Sequence, residues 1–185
     1  NVGYPILRNV PESYRAGIEV IAGIKLLNNL NWNGNATFSK NRIKDFSESV
    51  DNFDTGETII INHGDTEISF SPSIIAGSII TYEPFKDFKT ALSSKYVSRQ
   101  YIDNTESKAR SLDPYFVNNL RFSYRLNTGF IKNIRISFEV FNLFDEKYET
   151  NAWVYRYYLD GRYYTSDGYF PQARVHFMAG VEINL

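Results

Sequence analysis

The feature that most restricts this chain is a two-residue alternation of apolar and polar side chains that recurs seven times. The last thirteen residues, ARVHFMAGVEINL, put Ala173, Val175, Phe177, Ala179, Val181, Ile183 and Leu185 on one side of an extended strand. Arg174, His176, Met178, Gly180, Glu182 and Asn184 fall on the other. Between Ser13 and Leu26 the even positions Tyr14, Ala16, Ile18, Val20, Ala22, Ile24 and Leu26 are all apolar or aromatic. LNNL turns the chain, and Trp32, Ala36 and Phe38 continue the pattern against Asn31, Asn33, Asn35 and Thr37. Further runs are predicted from Ile68 to Tyr82, from Phe88 to near Tyr101, from Phe116 to Leu126 and from Ile134 to Val140. Period two is the signature of strands with one apolar face, so the chain is predicted to be all-β and antiparallel.

The runs are long. Strands of soluble domains average about 5–6 residues, whereas a tilted strand crossing a bilayer needs about 9–11. The connections alternate in length as well. Short turns are predicted at LNNL, EPFKD and NTGFIKN, and long polar loops near Asp45–Glu67, Ile102–Pro114 and Asp145–Pro171. That is the layout of an outer-membrane barrel, with short periplasmic turns and longer extracellular loops. On the apolar face, Tyr14, Trp32, Phe38, Tyr82, Phe88, Tyr96, Phe116 and Tyr124 sit near strand ends, with aliphatic residues between them. Aromatic belts flanking an aliphatic band suit a lipid-facing wall, because amphipathic rings settle at headgroup level. A soluble sandwich would instead place its largest rings at strand centres.

Composition agrees. Twenty basic against 21 acidic residues give a net charge of −1, which offers no general attraction to nucleic acid. The absence of cysteine is comfortable in an oxidising periplasm. No stretch approaches a membrane helix; the longest apolar-leaning run is IIAGSII from Ile74. Closed single-chain barrels of bacteria have an even strand number. Seven strands therefore lead to the expectation that residues 1–185 are the C-terminal part of a larger barrel.

Four stretches together resemble the C-terminal barrel of TonB-dependent outer-membrane receptors, especially those of Bacteroidetes. They are NVPESYRAGIEV from Asn9, KYVSRQYIDNTESKARSLDPYFVNNLRFSY from Lys95, VFNLFDEKYETNAWVYRYY from Val140 and GYFPQARVHFMAGVEINL from Gly168. NLFDEKYE is the most specific of these. The resemblance implies a transmembrane antiparallel barrel of 22 strands, of which this chain supplies the last seven or so, with an N-terminal plug inside it. It further implies a bacterial outer-membrane location and energy delivered by TonB with ExbB and ExbD. The expected function is uptake of a scarce nutrient: a ferric siderophore, haem, cobalamin or an oligosaccharide. Outer-membrane lipid and lipopolysaccharide, and the remainder of the barrel with its plug, are the other expected neighbours. A soluble secreted binding or adhesion module and a passive porin-like channel are the alternatives.

The polar face of the strands carries charge. Arg15, Lys25, Lys89, Lys95, Arg99, Arg121, Arg125, Arg135 and Arg174 are predicted to face the lumen, against Glu19, Glu139 and Glu182. They would pair with acidic plug residues or form a basic wall that guides an anionic ligand. The first long loop is acidic, with Asp45, Glu48, Asp51, Asp54, Glu57, Asp65 and Glu67, but has no calcium-loop spacing. In the last loop, Asp160-Gly161 signals a hairpin turn between aromatic arms. Its rings would pack the two arms together, and Tyr157, Tyr158 and Arg162 are the candidates for ligand contact. His63 and His176 have no local partners that would make a catalytic or metal site, so neither an enzyme nor a cofactor is expected.

Overall fold

The computed structural model describes residue 10 and residues 12–127 and 134–183. Its strands, in chain order, are β1 (Glu12–Leu27), β2 (Leu30–Asn52), β3 (Thr58–Glu67), β4 (Ile74–Tyr82), β5 (Phe88–Val97) and β6 (Gln100–Tyr101). They continue with β7 (Ser111–Leu112), β8 (Tyr115–Leu126), β9 (Ile134–Phe141), β10 (Glu149–Leu159), β11 (Arg162–Pro171) and β12 (His176–Ile183). Seven of them lie side by side in the order β1, β2, β4, β5, β8, β9, β12, and every neighbouring pair is antiparallel.

The ladder register turns the sequence alternation into two continuous surfaces. On one, Ile18 stands opposite Phe38, Trp32 opposite Ile80, Leu92 opposite Leu120, Phe122 opposite Phe138 and Ala179 opposite Phe138. This surface is bare, with Ile18 68%, Val181 65% and Phe177 75% exposed. An open apolar face of this extent is untenable in water and suits hydrocarbon. Aromatic pairs bound it at both ends, Tyr96 opposite Phe116 on one side and Phe88 opposite Tyr124 on the other. From Phe88 to Tyr96 is about 27 Å of strand at about 3.4 Å per residue. A tilt of about 35–45° brings this to about 20 Å along the membrane normal. The opposite surface is concave and polar. Cavities of about 630 and 540 Å³ lie against it, lined among others by Thr81, Lys89, Arg121, Ser123, Asn35, Ser93 and Lys95.

Beyond the membrane-spanning ladder the structure departs from the sequence expectation. The segment Asp45–Glu67, expected as a loop, is mostly strand: β2 runs on to Asn52 and pairs with β3. Two register shifts, near Asp45 (φ 49°) and Gly64 (φ 69°), interrupt the period-two pattern and hide the hairpin. The strand expected from Ile68 begins at Ile74. Residues 68–73 leave the ladder, with Phe70 at φ 49° and its N–H donated to the Tyr101 carbonyl at 2.9 Å. The strand expected from Phe88 to near Tyr101 stops at Val97 as β5, and Gln100–Tyr101 pairs separately with Ser111–Leu112. Most of Asp145–Pro171 is the β10–β11 hairpin, with Asp160 (φ 49°) and Gly161 (φ 71°) at its turn. β12 starts at His176, three residues later than expected. Most of the NTGFIKN turn and residues 184–185 lie outside the described residues.

The two walls predict opposite responses to charge. Leu92→Arg, on the lipid side near mid-strand, should cost about 2–4 kcal/mol, whereas Ser93→Arg, one residue away on the concave side, should cost under about 1 kcal/mol. Reversible denaturant titration of the folded barrel measures both.

Candidate functional site

The only extensively buried packing in the described residues lies on the side of the sheet where the long excursions emerge. Ile102, Leu112 and Ala152 form a cluster flanked by Val154, and Val50 is wholly inaccessible. β10 leaves the far end of the sheet, crosses residues 102–112 and reaches β2, where Tyr157 and Tyr158 pair in parallel with Asp51 and Asn52.

The junction is centred on Glu48. Its carboxylate accepts from Arg110 Nη1 at 3.0 Å and from Arg156 Nη1 at 2.9 Å, and meets His63 Nε2 at 2.9 Å. Arg110, 7% exposed, also contacts Asp103 at 2.7 Å. Three excursions are thereby tied at one carboxylate: β2–β3, residues 102–114 and β10–β11. Burial works to raise the Glu48 pKa. Hydrogen bonds from His63 and Arg110, with the charges of Arg110 and Arg156, outweigh burial and leave it below the ordinary value. Around this clamp, the Tyr155 hydroxyl donates to Asp51 at 2.8 Å, and the turn amides of Asp160 and Gly161 donate to Asp54 at 2.8 and 3.0 Å.

The register gives the β10–β11 hairpin two unlike faces. Ala152, Val154, Arg156 and Tyr158 point toward the Ile102–Leu112 cluster and Glu48. Trp153, Tyr155, Tyr157, Tyr164 and Arg162 share the other face. There, Tyr157 stacks on Tyr155 and Tyr164 (centroids 5.6 and 5.4 Å apart) and meets the edge of Phe53. The Trp153 indole fills the space over Gly168 where a Cβ would sit. Trp153, Phe170 and Phe53 remain about half exposed. Of the three residues expected to contact ligand, Tyr157 and Arg162 therefore lie together, and Tyr158 lies on the opposite face against Tyr163.

The charged residues expected in the lumen divide between wall and rim. Arg15 donates to Ser71 Oγ at 2.9 Å, Glu19 stands opposite Thr37, Lys25 opposite Asn31, and Lys95 opposite Gly77. Lys89 lies 3.7 Å from Glu83, Arg121 lies 3.7 Å from Glu139, and Arg135 donates to Glu182 at 2.9 Å. Arg125 stands directly opposite Arg135. Arg99 and Arg174 lie beyond strand ends at the rim: Arg99 faces Asp113 at 3.4 Å and Arg174 forks onto Asp145. Arg174 was expected on the last strand, which instead begins after it. The Arg174 hydrogen bond and the Val175 N–H hold the Asp145 pKa at about 2. Asp145 belongs to the NLFDEKYE motif. Asn142 of the same motif is buried, its amide donating to the Glu146 and Ala173 carbonyls at 2.9 and 3.2 Å. The motif thus joins the end of β9 to the entry of β12. Among the described residues no His, Cys, Asp and Glu grouping fits a metal ion, and no helix is long and apolar enough to cross a membrane.

Sequence reasoning missed the Glu48 clamp. Arg110 and Arg156 are 62 and 108 residues away from Glu48, so no local spacing announces it.

Residues 1–143 match the family model for the TonB dependent receptor-like β-barrel, and the chain belongs to that family. Its members are β-barrel receptors and transporters of the outer membrane, not enzymes. Among solved structures, the siderophore receptor PiuA of Acinetobacter baumannii is similar at 16% identity and TM-score 0.70, over 91% of this chain and 21% of that one. The ferric-catecholate import receptor Fiu of E. coli K12 is similar at 17% identity and TM-score 0.60, over 88% and 20%. A point mutant of the ferric enterobactin receptor PfeA of Pseudomonas aeruginosa, in complex with enterobactin, gives 22% identity and TM-score 0.51, over 77% and 19%. These likenesses concern the fold, and the chain spans about a fifth of each matched protein. No curated protein shows significant sequence similarity to it.

Glu48→Gln keeps the side-chain volume and removes the charge, leaving Arg110 and Arg156 undercompensated at a cost of about 2 kcal/mol. Hydrogen exchange should speed up in β3, β10 and β11 while β5 and β8 are unchanged. Because the Glu48 pKa is depressed on folding, its contribution is full above the ordinary value of 4.5 and is lost as pH falls below it. Acid should therefore reproduce the Gln phenotype.

Proposed function

We propose that residues 1–185 form part of the barrel wall and extracellular loops of a larger receptor. Its lipid-facing band meets outer-membrane lipid and lipopolysaccharide. The receptor imports a ferric siderophore with energy from TonB, ExbB and ExbD. The observation that carries the reading is the open face of the β10–β11 hairpin. It holds Trp153, Tyr155, Tyr157, Tyr164 and Arg162 in water above the lipid band, on a support fixed from behind by the Glu48 clamp. Rings and a guanidinium side by side suit an anionic aromatic chelate, since the rings stack and Arg pairs with oxyanions. The names of the structural neighbours, siderophore and ferric-catecholate receptors, favour the same class.

Uptake of a radiolabelled ferric catecholate by cells carrying the whole receptor tests this. Arg162→Ala and Trp153→Ala should weaken binding about 3- to 10-fold, roughly 0.7–1.4 kcal/mol, at unchanged barrel yield. Deleting TonB should abolish uptake and spare binding. Unchanged affinity in both variants, or uptake independent of TonB, contradicts the proposal.

A further inference from the structure

The last strand puts a thioether on the concave wall, where the facing residues of β9 are Glu139, Ser137 and Arg135. Met178, the one methionine of the chain, is 64% exposed there and stands directly opposite Glu139. His176, two residues earlier, stands opposite Phe141. Residues two apart on a strand share a face and lie about 6.7 Å apart along it. His176 and Met178 are therefore neighbours on the lumen side, while Phe177 between them faces lipid.

The imidazole is held in one orientation. Its ring lies flat against Phe141, with centroids 4.9 Å apart and planes 11° from parallel. Nδ1 meets the Arg174 carbonyl at 2.8 Å. A carbonyl only accepts, so Nδ1 carries the proton and Nε2 keeps its lone pair. Nε2 lies across the ring from Nδ1 and is thus turned from Arg174 toward the Met178 side. A backbone carbonyl on the other ring nitrogen is the common support of a metal-binding histidine. The charges close by suit a cation. Glu139 lies 3.7 Å from Arg121, beyond hydrogen-bond reach, and Arg174 is turned onto Asp145.

We infer that His176 Nε2 and Met178 Sδ form a binding site for a soft monovalent metal ion, Cu(I) or Ag(I). A thioether is a neutral, polarisable donor that selects Cu(I), and imidazole binds the same ion, whereas magnesium and calcium require oxygen donors. One nitrogen and one sulfur suit the low coordination numbers of these monovalent ions. This donor set is distinct from the His, Cys, Asp and Glu groupings considered above. Glu139 adds a negative charge beside the site and supplies no soft donor. The site depends on the β9–β12 register and on an accessible lumen, and is independent of the chelate proposed for the rim.

Peroxide oxidation of Met178 in the whole receptor, in detergent and chloride-free buffer, tests the site when followed by peptide mass spectrometry. Micromolar silver nitrate should slow sulfoxide formation at Met178 about fivefold or more, because the bound ion occupies the sulfur lone pair. His176→Gln should abolish that protection and leave the rate without silver unchanged. Zinc at the same concentration should give no protection. Silver without effect on the wild-type receptor overturns the site, as does protection that survives in His176→Gln. Equal protection by zinc overturns the assignment to a soft monovalent ion. A Met178 that resists peroxide before silver is added is covered by other polypeptide, which overturns the site as well.

Discussion

Everything in this chain depends on an unbroken antiparallel hydrogen-bonded ladder. In hydrocarbon, no water is available to satisfy a backbone N–H or C=O, so a spanning strand must be paired along its whole length. Along the ladder β1, β2, β4, β5, β8, β9, β12 every step is antiparallel, and the five inner strands are paired on both edges. It also fixes the direction of every side chain, so that the alternation in the sequence becomes two chemically distinct walls. Slipping any one strand by a single residue would turn its apolar set into the lumen and its charges into lipid.

The two solvents produce two kinds of packing. Where lipid is the solvent, Ile18, Phe177 and Val181 stay exposed and need no core. Where water is the solvent, the excursions bury Val50, Leu112 and Ala152 against one another and secure the contact with charge. Glu48 is the point at which β2–β3, residues 102–114 and β10–β11 meet, and its ionised form is favoured because three cationic or hydrogen-bonding side chains converge on it. Held from behind in this way, the β10–β11 hairpin presents its other, aromatic face outward. At the same rim, Asn142 and Asp145 link the end of β9 to the start of β12, which gives the NLFDEKYE motif a structural purpose.

How far the sequence reveals this depends on whether a feature is local. The membrane strands are legible because one face contacts lipid and the other water, which enforces period two: β1 and β8 fall within a residue or two of their expected limits. The aqueous hairpins are less so. Beyond Ser39 the apolar residues of β2 and β3 do not keep to one alternating face, Ile59, Ile60 and Ile61 being consecutive, and bulges at Asp45 and Gly64 break the phase, so the segment looks like loop. The Asp160-Gly161 turn is legible because its positive φ values demand that pair of residue types. Which rings share a face is not legible by residue type. Tyr157 and Tyr158 are adjacent and identical, yet strand alternation sends them to opposite sides, opposite Tyr164 and Tyr163 respectively. The Glu48 clamp has no sequence signal at all, since its members come from three separate excursions.

The most direct test of the account is single-cysteine scanning along β5, from Phe88 to Val97, in the intact receptor in outer-membrane vesicles. Residues 1–185 contain no cysteine, and any cysteine elsewhere in the receptor is first replaced by serine. Each site carries a spin label, and its collisions with a lipid-soluble and a water-soluble relaxation agent are compared. The account predicts strict alternation: positions 88, 90, 92, 94 and 96 meet the lipid-soluble agent and positions 89, 91, 93, 95 and 97 the aqueous one. Uniform access to the aqueous agent along the strand would contradict a membrane-spanning wall.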